Sequence, residues 1–161
     1  MQMQSSVYVS FKWPRCSPWL SIIPRALTLL TSSPGPTGLK YKVNFDGAIF
    51  QDVRTVGTGI VICDSKGEVI AALSEKIPPP PTVEDIEALA CWRAMSFALE
   101  IGLRDVVFEG DSETIIKHLN FEFDSLASFG NIVEDSKCTA LNFRSYSFSH
   151  VKRNGNAVVI S

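Results

Sequence analysis

Three carboxylates in this chain stand where a charge is not otherwise called for. Asp46 closes an alternating run in the stretch VNFDGA, Glu87 lies on a stripe of small residues, and Asp111 sits where a short apolar run gives way to a helix signal. Each has an ordinary explanation. Asp-Gly is a turn signal, an acid early in a helix favours the positive end of its dipole, and Asp-Ser ahead of a helix is a good N-cap. Their meeting at one spot would mean something else. Carboxylates crowded together repel, and the cluster is stable only if some are protonated or divalent cations are bound. Ligands that are all oxygen suit Mg²⁺ or Mn²⁺.

Such a meeting depends on the elements that carry the three residues. Leu39, Tyr41, Val43 and Phe45 alternate with Lys40, Lys42, Asn44 and Asp46, the period of a half-buried strand that ends at Asp46. Two further β-rich runs, Val56 to Cys63 and Glu68 to Leu73, are joined by Asp-Ser-Lys-Gly, a hairpin turn. After Pro78 to Pro81, the segment Thr82-Val83-Glu84-Asp85 has the form of a helix start, and Gly102 is placed to cap the helix at its far end. Ala90, Ala94 and Ala98, with Cys91, Phe97 and Ile101 beside them, suit close packing on a sheet; Glu87, on the same stripe, points toward that sheet. A strand at Asp105 to Glu109, a helix within GDSETIIKHL, a third helix from Leu126 to Cys138 and a strand from Phe143 to Val151 complete the order βββαβααβ. Asp111 then follows the carboxyl end of a strand, where α/β sheets gather ligands.

The chain has 161 residues, 45% of them hydrophobic, and a net charge of −2, which suits one globular α/β domain and excludes a generically basic nucleic-acid coat. No acidic residue precedes Asp46, and five prolines between Pro14 and Pro36 forbid a continuous helix there. Residues 1–38 therefore read as a leader, either disordered or an organelle transit segment, and residues 39–161 as the domain. Cys16, Cys63, Cys91 and Cys138 are scattered with no metal-ligand spacing, so they read as reduced thiols of an intracellular protein, in the nucleus or cytoplasm unless the leader directs it to an organelle. No apolar run reaches the roughly 20 residues of a membrane span. Trp92, in mid-helix, reads as packing, and His118 as a surface residue.

NFDGA, EDIEALACWRAMSFALEIGL, VVFEGDSETII and SHVKRNGN, in that order, resemble the ribonuclease H-like domain abundant in plants and in retroelement-derived proteins. The resemblance covers roughly Leu39 to Ser161. It implies a ribonuclease H-like fold, a five-stranded mixed sheet whose first three strands are antiparallel and whose last two run parallel to the first, flanked by helices. It also implies that Asp46, Glu87 and Asp111 are catalytic metal ligands and that His150 matches a histidine of a mobile loop. Two Mg²⁺ ions about 4 Å apart would flank the scissile phosphate of the RNA strand in an RNA–DNA hybrid, with Mn²⁺ as a substitute. Asn44, Gly47 and Ala48 are then candidates by position for contacts to 2′-hydroxyl groups. Lys152 and Arg153 are candidates for backbone phosphates, or else form a solvated basic turn.

Ile160 falls where the resemblance places a fourth acid or histidine, and NAVVIS resembles the beginning of a truncated final helix. Glu122, Asp124, Glu134 and Asp135 make the region between the helices acidic where well-studied members carry a basic protrusion. The expectation is a monomeric hybrid endonuclease that cleaves weakly in Mg²⁺ and better in Mn²⁺. The alternative is a catalytically poor nucleic-acid-binding or scaffold domain of retroelement or gene-fragment origin.

Overall fold

A computed structural model describes residues 40–50, 55–121 and 126–152. The leader assigned to 1–38, together with Arg153, Ile160 and the segment read as the start of a final helix, lies outside the described residues. Among the described residues five strands and three helices follow one another as β1 (Tyr41–Phe50), β2 (Thr55–Cys63), β3 (Val69–Ile77), α1 (Val83–Glu100), β4 (Asp105–Gly110), α2 (Glu113–Asn120), α3 (Gly130–Ala140) and β5 (Ser145–His150). They form one sheet in the order β3-β2-β1-β4-β5. β1 pairs antiparallel with β2 and β2 with β3, whereas β4 runs parallel to β1 and β5 parallel to β4. This is the mixed α/β sheet expected, in the expected element order.

The turn between β2 and β3 forms as the residues dictate. Gly67 adopts a φ of 84°, and the Asp64 carboxylate accepts from the amides of Lys66 and Glu68 at 2.8 and 2.9 Å. β3 continues past Leu73 to Ile77. Ser74, Glu75 and Lys76 break the apolar pattern, yet they pair with Gly59, Thr58 and Gly57 of β2.

α1 begins at a capping box in which Thr82 accepts from the Asp85 amide and the Asp85 carboxylate accepts from the Thr82 amide. It ends in paired bonds from Gly102 to the Leu99 carbonyl and from Leu103 to the Ala98 carbonyl, with Gly102 at a φ of 86°. Between these caps the helix is buried nearly all round, because the sheet lies on one side and α3 on another. Ala90, Ala94 and Ala98 are fully inaccessible, as the small-residue stripe requires, and so is Trp92. Val43 and Phe45 of β1, Ile60 and Ile62 of β2, and Val106 and Phe108 of β4 supply the sheet's side of this core.

α3 starts at Gly130, later than its apolar pattern suggests. The preceding residues are held elsewhere: the Ser128 hydroxyl donates to Asp85 at 3.0 Å, and the Phe129 and His118 rings pack edge to face with centroids 5.0 Å apart. His118 is thus half-buried rather than a surface residue, and its Nδ1 donates to the Thr114 carbonyl at 2.8 Å. The last strand is shorter at both ends than its sequence implies. Phe143 instead packs against Phe108 at 5.3 Å as part of the core.

Candidate metal centre

The site begins with a divergence of two strands. β1 and β4 stay paired only as far as Asn44 opposite Glu109, whereas β1 keeps its antiparallel partner from Asp46 opposite Gly59 out to Phe50 opposite Thr55. The expectation that the first strand ends at Asp46 is therefore corrected. The hairpin with β2 supplies hydrogen bonds beyond the point where β4 leaves, so Asp46 lies within the strand and Asp-Gly makes no turn. The gap opened beside Asp46 is bordered by Asp111, directly after β4.

Asp111 does not cap the following helix. Ser112 does so, its hydroxyl accepting from the Ile115 amide. Gly110 before it is required by packing, because a Cβ there would stand 2.5 Å from the Phe45 ring. Glu87 enters from above, in the second turn of α1. Its approach depends on Gly47, where a Cβ would lie 2.4 Å from Ile86 Cγ2 and 3.4 Å from Glu87 Oε1.

One carboxylate oxygen from each of Asp46, Glu87 and Asp111 lies within 4.8 Å of the others. Glu87 is 7% exposed while its two companions are half-buried. Burial raises its pKa to about 8, with further increments from the charges of Asp46 and Asp111, and the Gly47 backbone N–H bonded to Glu87 opposes the rise. A hydrogen bond between Glu87 and Asp46 belongs to the same balance. Burial and the neighbouring charges thus favour a protonated carboxyl within the metal-free cluster at neutral pH. Glu87 Oε2 is buried with no hydrogen-bond partner, an uncommon condition for a carboxylate oxygen and one that a cation would relieve. The donor set of hard oxygens fits Mg²⁺ or Mn²⁺.

His150 closes β5 rather than lying in a loop beyond it. Its Nε2 donates to the Asp111 carbonyl at 3.2 Å, and the next amide, Val151 N–H, donates to the Gly110 carbonyl at 3.0 Å. The end of β5 therefore grips the backbone that carries Asp111. Lys152, exposed, follows directly. Asn44 sits opposite Glu109, and Ala48 lies half-buried two residues past Asp46. The Gly47 amide is taken by Glu87. Lys42, beside Asn44, pairs with Glu109 at 3.3 Å.

Residue types alone do not single out Arg93 and Glu75. Both are buried, and Arg93 Nε and Nη2 donate to the two Glu75 oxygens at 2.8 and 3.0 Å while Nη1 reaches Glu100 at 2.9 Å. The available signal was a charged residue inside an otherwise apolar helix face.

A mixed five-stranded sheet with an acidic cluster where its central parallel strands part defines a ribonuclease H-like domain. The profile of the reverse transcriptase-like family matches residues 44–161, and the chain belongs to that family. No curated protein matches in sequence. Among solved structures, RNase H1 of the halophilic archaeon Halobacterium salinarum is similar at 22% identity and a TM-score of 0.67, over 74% of this chain and 91% of that one. The N-terminal RNase H domain of a Mycobacterium tuberculosis protein is similar at 17% identity and a TM-score of 0.67, over 75% and 88%. LC11-RNase H1 in complex with an RNA/DNA hybrid is similar at 22% identity and a TM-score of 0.65, over 74% and 91%. Among the described residues, no helix is long and apolar enough to cross a membrane.

Proposed function

We propose that this chain is a nuclease that hydrolyses the RNA strand of RNA–DNA hybrids with a divalent cation, Mg²⁺ or Mn²⁺, held by Asp46, Glu87 and Asp111. The observation that carries this reading is the trio of carboxylates, one oxygen of each within 4.8 Å of the others, together with a buried Glu87 whose Oε2 has no hydrogen-bond partner. A structural role for such a group is hard to find. Burying acids beside one another raises their free energy, and a chain that needed only packing would have apolar residues at these positions. A bound cation there supplies Lewis-acid polarisation of the scissile phosphate and a water made more acidic.

The protein's own groups have separable tasks. Glu87 gives up its proton when it becomes a ligand, so loading is favoured as pH rises through about 8. Asp46 and Asp111 border the open side, where a phosphate would enter. His150 holds the Asp111 backbone, and Lys152 stands next to it as a contact for phosphate oxygens. Asn44 and the Ala48 backbone lie along β1 on either side of Asp46, at hand for a sugar hydroxyl.

The test is cleavage of a labelled hybrid by the purified protein, with double-stranded RNA and double-stranded DNA of the same sequence as comparisons. Cation-dependent cutting of the RNA strand in the hybrid alone, lost in Asp46→Asn, is expected. Tight hybrid binding without cleavage in either Mg²⁺ or Mn²⁺ would replace the nuclease reading with a binding role.

A further inference from the structure

The buried pair Arg93–Glu75 lies in register with the metal cluster. Gly47 of β1 is opposite Thr58 of β2, and Thr58 is opposite Glu75 of β3, so these three residues form one transverse row across the sheet. α1 is tied to that row twice. Glu87 takes the Gly47 amide at one end, and Arg93, six positions further along the helix, takes both oxygens of Glu75 at the other. Six helical residues rise about 9 Å. Two strand spacings are about 9.5 Å. The separations of the two anchors along the helix and across the sheet are thus similar.

We infer that Arg93 and Glu75 are positioning residues that fix the register of α1 on the sheet and so set Glu87 over Gly47 at the cluster. This rests on the reading of Glu87 as a metal ligand. The stripe facing the sheet consists mainly of alanines and other small side chains, whose low relief opposes sliding only weakly. A two-point guanidinium–carboxylate fork does so far better, because both of its hydrogen bonds fail on a small displacement. Burial works against the Arg93 charge, but the hydrogen bonds and charge of Glu75, then those of Glu100, outweigh it and hold the guanidinium ionised. Arg93 also lies 5.9 Å from the Phe97 ring centre on its own helix.

Stability and positioning are separable here, since replacing both members of a buried ion pair by apolar residues of similar size is often neutral. The experiment compares the parent with Arg93→Lys and with the double variant Arg93→Met, Glu75→Leu. Amide hydrogen exchange is followed by NMR in the metal-free proteins, and Mn²⁺ affinity is measured by calorimetry. In the double variant, with its melting temperature kept, exchange at Gly47 should quicken at least tenfold while Ile62 stays protected. Its Mn²⁺ affinity should fall about tenfold, and Arg93→Lys, which keeps the charge but not the fork, should fall between. Unchanged Gly47 protection and unchanged affinity in the folded double variant would overturn the inference. A parent that binds no Mn²⁺, with Gly47 protection still lost in the double variant, would sink the metal-site reading and leave the register pin standing.

Discussion

Glu87 sits directly over Gly47, and each residue makes the other's position workable. The Gly47 amide donates to the Glu87 carboxylate, and the missing side chain of Gly47 leaves the space through which α1 settles onto β1. A methyl group at Gly47 would have to displace Ile86, 2.4 Å away, together with the first turns of the helix. The carboxylate cluster thus depends on a residue that has no side chain to contribute to it.

Gly47→Ala should lower stability by roughly 1–3 kcal/mol, the usual cost of an overpacked core. Because the displaced helix carries Glu87, Mn²⁺ affinity should fall as well. Denaturant unfolding and calorimetry on the same sample check both, and a variant of parental stability and affinity would show that Ile86 gives way freely.

The folded pKa of Glu87 is about 8, raised from 4.5. A proton is therefore held more tightly by the folded chain. Its contribution to stability is fully present below about pH 4.5 and is lost as pH rises through about 8, an effect on the order of a few kcal/mol in the absence of metal. Glu87→Gln should flatten that part of the pH profile and make the metal-free protein more stable than the parent at pH 8. Thermal melts from pH 4.5 to 9 in chelator would reveal it; identical slopes in parent and variant would mean that Glu87 is not the group titrating.

Asp111 and Ser112 are neighbours with different duties. Ser112→Ala removes the helix cap and should cost about 1 kcal/mol while cation affinity stays near the parental value. Asp111→Asn should abolish hybrid cleavage and weaken Mn²⁺ binding with little change in stability. The two variants would have to exchange these phenotypes for Asp111 to be the cap.

His150→Phe keeps a ring at the end of β5 but removes the donor to the Asp111 carbonyl. The expected result is a several-fold fall in kcat for hybrid cleavage with KM nearly unchanged, since the substrate contacts remain and only the junction carrying Asp111 loosens. A rise in KM alone would assign His150 to substrate binding.

The local grammar of the chain was readable without the fold. The Thr82 to Asp85 capping box, the Gly102 cap, the turn at Gly67 and the alanine stripe all act within a few residues, and each occurs as its residue types imply. The acids were legible for a related reason: Glu87 on an apolar stripe is costly, and cost in a local pattern shows at the level of sequence. The boundaries that shifted were those settled by a distant neighbour. β1 runs on past Asp46 because β2 pairs with it, α3 starts late because Ser128 and Phe129 are held by Asp85 and His118, and His118 itself is drawn inward by Phe129.

The sequence by itself determined which segments are strands and helices and which three acids stand out of place, because periodicity, caps and misplaced charge are properties of short windows. Only the tertiary structure decided that β4 leaves β1 beside Asp46, that Ser112 rather than Asp111 caps α2, that burial and neighbouring acids raise the Glu87 pKa, and that Arg93 and Glu75 grip the row of the sheet on which Gly47 lies. Those outcomes arise between segments far apart in the chain. Desolvation and the field of neighbouring charges exist only once the segments have been brought together.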